Sequence, residues 1–323
     1  MQLRFADFEE YASAVAGVEG SMRVIGPGKG EWSLDAVDAG DLVAMLGQDG
    51  APVLFQGMSR PGRYFAYVSL PGSDTAMQGQ ASGDDRLAWY APATEVHGFS
   101  RRISRFLAVD MDAAAVVQRA RETAGLVEEH IQRTHPVVVG RDAIAALVAP
   151  ILRAIAISQA DSRVFEAAPV RRAFSAQVIH SLLGCLATED PGAPRRLRGR
   201  PPVPRNEIIR RSLDHIDKAI RGEAAIGDLA LRARTSQRSL NRAFDEVFGI
   251  SPRQYYLLER MHVIRRALRA AQPGDTVTSI CMHFGVWDVG RFAGMYRRTF
   301  GLHPSVELAA ALNARPTTQP LPG

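Results

Sequence analysis

The spacing of apolar residues changes character along the chain, and the changes predict its elements. Over residues 20–110 short apolar runs such as VLFQGM, YFAYVSL and RLAWYAP alternate with Gly, Pro and Asp turns, a pattern that predicts strands. From Asp112 onward apolar residues recur at three- and four-residue spacings, which predicts helices over 112–130, 141–160 and 170–188. The middle one aligns Ile144, Leu147, Val148, Ile151 and Ile155 on one face. The stretch Pro191 to Arg205, PGAPRRLRGRPPVPR, has almost nothing to bury and reads as a linker. Beyond it the pattern is helical throughout. Asn206 is placed to cap a helix with an Ile209, Leu213, Ile216, Ile220 face that stops near Gly222.

Two further segments share one plan, a short helix, a tight turn and a second helix. The first runs from Ile226 to Gly249. Ile226, Leu229, Ala230 and Ala233 form its first apolar face, and Ser236 is placed to cap the second helix. Leu240, Phe244, Val247 and Phe248 then point inward, which leaves Gln237, Arg238, Asn241 and Arg242 outward. Arg234 stands in the turn, where a positive φ strains a side-chain-bearing residue. Ser251-Pro252 caps a long helix carrying Leu257, Met261, Ile264 and Leu268. The second segment runs from Thr276 to Gly301, with Ile280, Cys281 and Phe284 as its first face and Gly285 in its turn. Its second helix starts at about Trp287 and buries Phe292, Met295, Tyr296 and Phe300. Asp288, Val289, Arg291, Arg297 and Arg298 are its candidate contact residues. Outward Arg and Asn suit a major groove, since Arg bridges guanine O6 and N7 and Asn bridges adenine N6 and N7.

Charge sharpens this picture. The net charge is +5, yet residues 1–191 hold 17 Lys and Arg against 23 Asp and Glu, while the remainder hold 22 against 11. The second part is therefore suited to a polyanion and the first is not. At 46% hydrophobic and 23% charged residues the chain is of ordinary globular composition. The first residues carry Arg4, Asp7, Glu9 and Glu10 instead of an apolar leader core. The apolar stretch Ala143 to Ile157 reads as too short for a membrane span and is interrupted by Pro150 and Arg153. Cys185 and Cys281 form no CxxC pair. These features lead to an expectation of a cytoplasmic protein that does not enter a membrane.

The motifs resemble the AraC/XylS regulators. The resemblance is carried by Ser236, Leu240, Arg242 and Phe244, then Gly249-Ile250-Ser251-Pro252, Tyr255 and Arg260, then Gly285, Phe292, Arg297-Arg298, Phe300-Gly301 and Pro304. It covers residues 206–308, and the second segment is most similar to regulators of ethanolamine operons. Gly294 departs from the pattern, standing where the family often has Arg, and Gly290 adds a second glycine to the same helix. The resemblance implies that each recognition helix enters one of two successive major-groove segments. It further implies RNA polymerase as a partner and a small-molecule effector, with an amine or another carbon source as candidates.

The expected architecture is an α+β N-terminal domain followed by an all-α domain with two helix-turn-helix units joined by a helix. The N-terminal domain, residues 1–190, is β-rich, a cupin-like sandwich or barrel plus helices, and serves ligand binding and homodimer formation. Residues 191–205 form the linker, 206–310 the DNA-binding domain and 311–323 a disordered tail. Trp32, Phe55, Tyr67, Trp89, Tyr90 and His97 are candidate ligand contacts, since pockets are lined largely by such side chains; ordinary core packing is the alternative. Glu95 and His97 share a strand face, but two donors fall short of the three or four a metal requires, so no metal or other cofactor is expected. The expected function is a sequence-specific, ligand-responsive transcription activator without catalytic residues. Two alternatives stay open, a regulator without a small ligand and an enzyme fused to the DNA-binding module.

Overall fold

The computed structural model describes residues 2–15, 17–123, 126, 128–187 and 205–313. The chain divides into a mainly N-terminal and a mainly C-terminal compact unit. The N-terminal unit opens with β1 (Gln2–Phe5), α1 (Phe8–Ala14), β2 (Val18–Val24), β3 (Trp32–Asp38), β4 (Leu42–Gln48), β5 (Val53–Ser59) and β6 (Arg63–Ser69). It continues through β7 (Thr75–Met77), β8 (Gln80–Ala81), β9 (Arg86–Tyr90), β10 (Glu95–Ser100) and β11 (Arg105–Asp112). It closes with α2 (Ala113–Arg121), α3 (Glu128–Gln132), β12 (His135–Val138), α4 (Arg141–Ala160) and α5 (Ala168–Ala187).

A seven-stranded sheet in the order β1-β3-β4-β11-β6-β9-β12 faces a five-stranded sheet, β2-β5-β10-β7-β8. Neighbouring strands run antiparallel. The larger sheet is covered on both faces. Along β11, Leu107, Val109 and Met111 join a core with Leu147 and Ile151 of α4 and Val178 and Leu182 of α5. The intervening Phe106 and Ala108 join the core between the sheets, with Met22, Val53 and Val96. Double coverage is why β6, β9 and β11 read as nearly continuous apolar runs instead of alternating ones.

Three expectations need correction here. The span 112–130 is two shorter helices, α2 and α3. Strands begin at Gln2 and end at Val138, beyond the expected 20–110. And α4 is a full 20 residues with Pro150 inside, long and apolar enough to cross a membrane. Its length therefore does not exclude a span; what places it is the packing of Ile144, Leu147, Ile151 and Ile155 against the sheet and α5.

The C-terminal unit is helical: α6 (Arg205–Ile220), a 3-10 turn at Ile226–Asp228, α7 (Leu229–Arg232), α8 (Gln237–Phe248), α9 (Pro252–Arg269), α10 (Val277–His283), α11 (Val289–Phe300) and α12 (Pro304–Asn313). Residues 191–204 of the expected linker lie outside the described residues, and Arg205 opens α6, so Asn206 sits within its first turn and does not cap it. The expected tail boundary also moves, because α12 continues through Ala311, Leu312 and Asn313; residues 314–323 lie outside the described residues.

Candidate functional site

The first helix-turn-helix is set by local chemistry. Arg234 adopts φ +53° in the turn between α7 and α8, the strained geometry that its position implies. The Ser236 hydroxyl accepts the Ser239 N–H at 3.1 Å, which caps α8. Leu240 and Phe244 are fully buried, and Phe244 meets Tyr255 of α9 edge to face. At 3.6 residues per turn this leaves Gln237, Arg238, Asn241 and Arg242 together on the opposite, exposed face. The Gln237 amide donates to the Asn241 carbonyl at 2.9 Å, so the two amide side chains are held in line along that face.

The connecting helix α9 begins with a reciprocal cap between Ser251 and Gln254, with Pro252 at its first position. It buries Leu258, Met261, Ile264 and Leu268; Leu258 takes the place expected of Leu257, which is half-buried. A second reciprocal cap, Thr276 with Ser279, starts α10, and Gly285 supplies the turn at φ +69°.

The second helix of the second unit, α11, differs from expectation at its start. It begins at Val289, not Trp287, because the Asp288 carboxylate accepts the Arg291 N–H at 2.9 Å and caps it. Asp288 is thus a capping residue, and Val289 is half-buried. Arg291, Arg297 and Arg298 are exposed. A methyl group at Gly290 or Gly294 would meet nothing in the protein closer than 3.8 Å, so packing within the protein does not require either glycine. Trp287, which sequence reasoning left without a role, is 76% exposed just before the helix.

Sequence reasoning also missed what orients this helix. Glu307 of α12 is buried and pairs with Arg265 at 2.9 Å and Arg269 at 2.5 Å, both on α9. The Tyr296 hydroxyl of α11 donates to the same carboxylate. Burial and the Glu307 charge push the Tyr296 hydroxyl far above its ordinary range, so it keeps its proton to donate. Arg265 also stacks over Phe300 at 4.8 Å. One carboxylate therefore joins three helices.

The N-terminal unit holds a cavity of about 60 Å³ between its two sheets. Phe55 of β5 and Tyr67 of β6 line it; Trp32, Trp89, Tyr90 and His97 do not. Trp89 lies on the other face of β9, where it stacks on Tyr64 and donates to the Ile131 carbonyl at 2.9 Å. Trp32 packs against Tyr11 at 5.1 Å. Tyr90 lies against Phe65, and its buried hydroxyl has no hydrogen-bond partner among the described residues. His97 Nε2 lies 3.5 Å from Glu95 Oε2. Among the described residues no three His, Cys, Asp or Glu cluster as metal ligands.

The polar end of the cavity is Asp49, which the sequence did not single out. Its carboxylate accepts from the Tyr11 hydroxyl at 3.0 Å and the Ser104 hydroxyl at 2.5 Å. Burial pushes its acid up to about 6, against the lowering by these two hydrogen bonds.

Residues 229–309 match the helix-turn-helix domain family. A probable thc operon regulatory protein of Rhodococcus erythropolis is 33% identical over 102 residues, 31% of this chain and 31% of its own length. The XylDLEGF operon transcriptional activator 2 of Pseudomonas putida is 29% identical over 105 residues, 32% of this chain and 67% of its own. The crystal structure of the AraC-like transcriptional activator CuxR covers 88% of this chain and 99% of its own at 12% identity and a TM-score of 0.44. The chain thus spans under a third of the length of the Rhodococcus relative. Residues 229–309 form a helix-turn-helix domain, and operon regulators are among its relatives.

Proposed function

We propose that this chain is a sequence-specific transcription regulator, a ligand-responsive activator whose two recognition helices, α8 and α11, read successive major-groove segments. The observation that carries this reading is the capped helix α8, with Gln237, Arg238, Asn241 and Arg242 exposed on one face, inside a domain whose relatives regulate operons. Arg291, Arg297 and Arg298 extend the basic surface on α11. Residues 206–310 do the DNA binding and 1–190 the sensing. The protein works in the cytoplasm, with RNA polymerase and a second copy of the chain as partners.

The cavity between the sheets favours a ligand-responsive regulator over one without a small ligand. An enzyme that accepts an alkyl group would need an activated thiolate, whereas burial pushes both Cys185 and Cys281 up to about 11. The likeness of the second unit to ethanolamine-operon regulators lies wholly in the C-terminal unit and carries no information about the cavity. Hydroxyl-radical footprinting on a duplex selected by the full chain tests the DNA reading. Two protected groove segments about one helical turn apart are expected. A single protected segment would remove α11 from base reading, and no site-specific protection would overturn the function.

A further inference from the structure

We propose that the sandwich cavity is the effector site and selects a small, uncharged, largely apolar molecule, in preference to an amine or a carboxylate. This rests on reading the N-terminal unit as the sensing unit, and it narrows that reading to one class of ligand.

The wall decides the class. Its bulk is apolar, from Met22, Val53, Phe55, Phe65, Met77 and Phe106. The polar groups in the wall are already engaged. Asp49 accepts from Tyr11 and Ser104. The Thr75 hydroxyl donates to Ser69 at 2.8 Å and hydrogen-bonds with Tyr67. The Ser100 hydroxyl accepts the Val53 N–H at 3.0 Å.

Among the described residues no Lys, Arg or His lines the cavity. A carboxylate ligand lodged against this wall would lack a cationic partner and lie near Asp49, and an unpaired charge in an apolar site is costly. An ammonium would find one acid, whose two oxygens each already hold a hydroxyl, and its remaining N–H groups would face Met and Phe. An uncharged apolar molecule avoids both penalties, since dry apolar cavities take up ligands such as benzene or xenon.

Size bounds the ligand further. A cavity of about 60 Å³ has room for roughly four to six water-sized bodies, at about 10–15 Å³ for each. Met22 and Met77 give the wall some adaptability, because the unbranched thioether repacks readily.

The test uses the full chain with its methionine methyl groups isotopically labelled, so that Met22 and Met77 report from the wall. Xenon supplies a purely apolar probe. Butan-1-ol, butylamine and butyrate share one four-carbon chain and differ in head group. Xenon and butan-1-ol should shift the Met22 and Met77 methyl signals saturably, with butylamine and butyrate at least about tenfold weaker in affinity, which is about 1.4 kcal/mol. Val96→Phe, which fills the cavity, should abolish the butan-1-ol response. Should that variant fail to fold, Phe106→Leu, which enlarges the cavity, should favour pentan-1-ol over butan-1-ol relative to the wild type. Butylamine or butyrate binding as tightly as butan-1-ol would overturn the proposal. So would no response from any probe, or a probe preference unchanged by Phe106→Leu. An intact DNA footprint alongside such a failure would leave the regulator reading standing.

Discussion

At the scale of single residues, two side chains on α8 carry the base-reading assignment. Asn241 and Arg242 are exposed about one and a half turns beyond the Ser236 cap, near the helix N-terminus, which itself favours phosphate. Asn241→Ala and Arg242→Ala are each expected to lose about 1–3 kcal/mol of discrimination between operator and scrambled duplex. Competition binding at fixed salt measures this, and an unchanged ratio in both variants with the fold intact would show that α8 does not read bases. Asp49 makes a different prediction. Its acid lies near 6 in the folded chain, against 3.8 as the ordinary value, so between these pH values the folded state binds more protons than the unfolded one. Stability contributed by this group therefore falls as pH rises from about 4 to 6, by at most about 3 kcal/mol. Asp49→Asn should remove that dependence, so that the variant gains on the wild type in urea unfolding at pH 7.5 relative to pH 4. A difference between the two proteins that does not vary with pH would contradict the assigned shift.

At the scale of elements, Glu307 is the joint between α9, α11 and α12. It pairs with Arg265, itself only 5% exposed, and takes the Tyr296 hydrogen bond. Glu307→Gln leaves the Arg265 guanidinium buried without its counter-charge, and losing one partner of a buried pair costs about 3–5 kcal/mol. Thermal unfolding of the C-terminal unit should drop accordingly. Because Glu307 binds Tyr296 of α11 and Arg265 and Arg269 of α9, the footprint should weaken at the α11 segment before the α8 segment. Equal weakening of both would mean that the joint does not orient α11. The starts of the elements were legible in the sequence for a local reason. Ser236, Ser251-Pro252 and Thr276 satisfy N–H groups within three residues of themselves, and Arg234 occupies the strained turn its position implied. The start of α11 was less legible, because a carboxylate just before a helix can cap it or project from it, and the hydrogen bond from the Arg291 N–H shows that Asp288 caps.

At the scale of the whole molecule, charge is divided along the chain: residues 192–323 hold 22 Lys and Arg against 11 Asp and Glu, while residues 1–191 are net acidic. DNA affinity should therefore fall steeply with salt, with a logarithmic slope of about −0.9 for each phosphate neutralised. Titrations of one duplex at several salt concentrations give this slope. Binding indifferent to salt would contradict an electrostatic footing for the complex.

The sequence by itself determined the Ser236 and Ser251-Pro252 caps and the plan of the two helix-turn-helix units, since each depends on residues within a turn or two of one another. It set α4 at residues 141–160, where the helix runs from Arg141 to Ala160, and the basic character of the C-terminal end. Only the tertiary structure decided which aromatic side chains meet a cavity. The seven-stranded sheet is buried on both faces, so its strands show no polar alternation to reveal that Tyr67 points between the sheets while Trp89 points toward the helices. It alone brought Asp49 to Ser104, 55 residues away, and Glu307 to Arg265, 42 residues away. Such pairs leave no periodic trace in the chain, because their partners are chosen by strand order and helix packing.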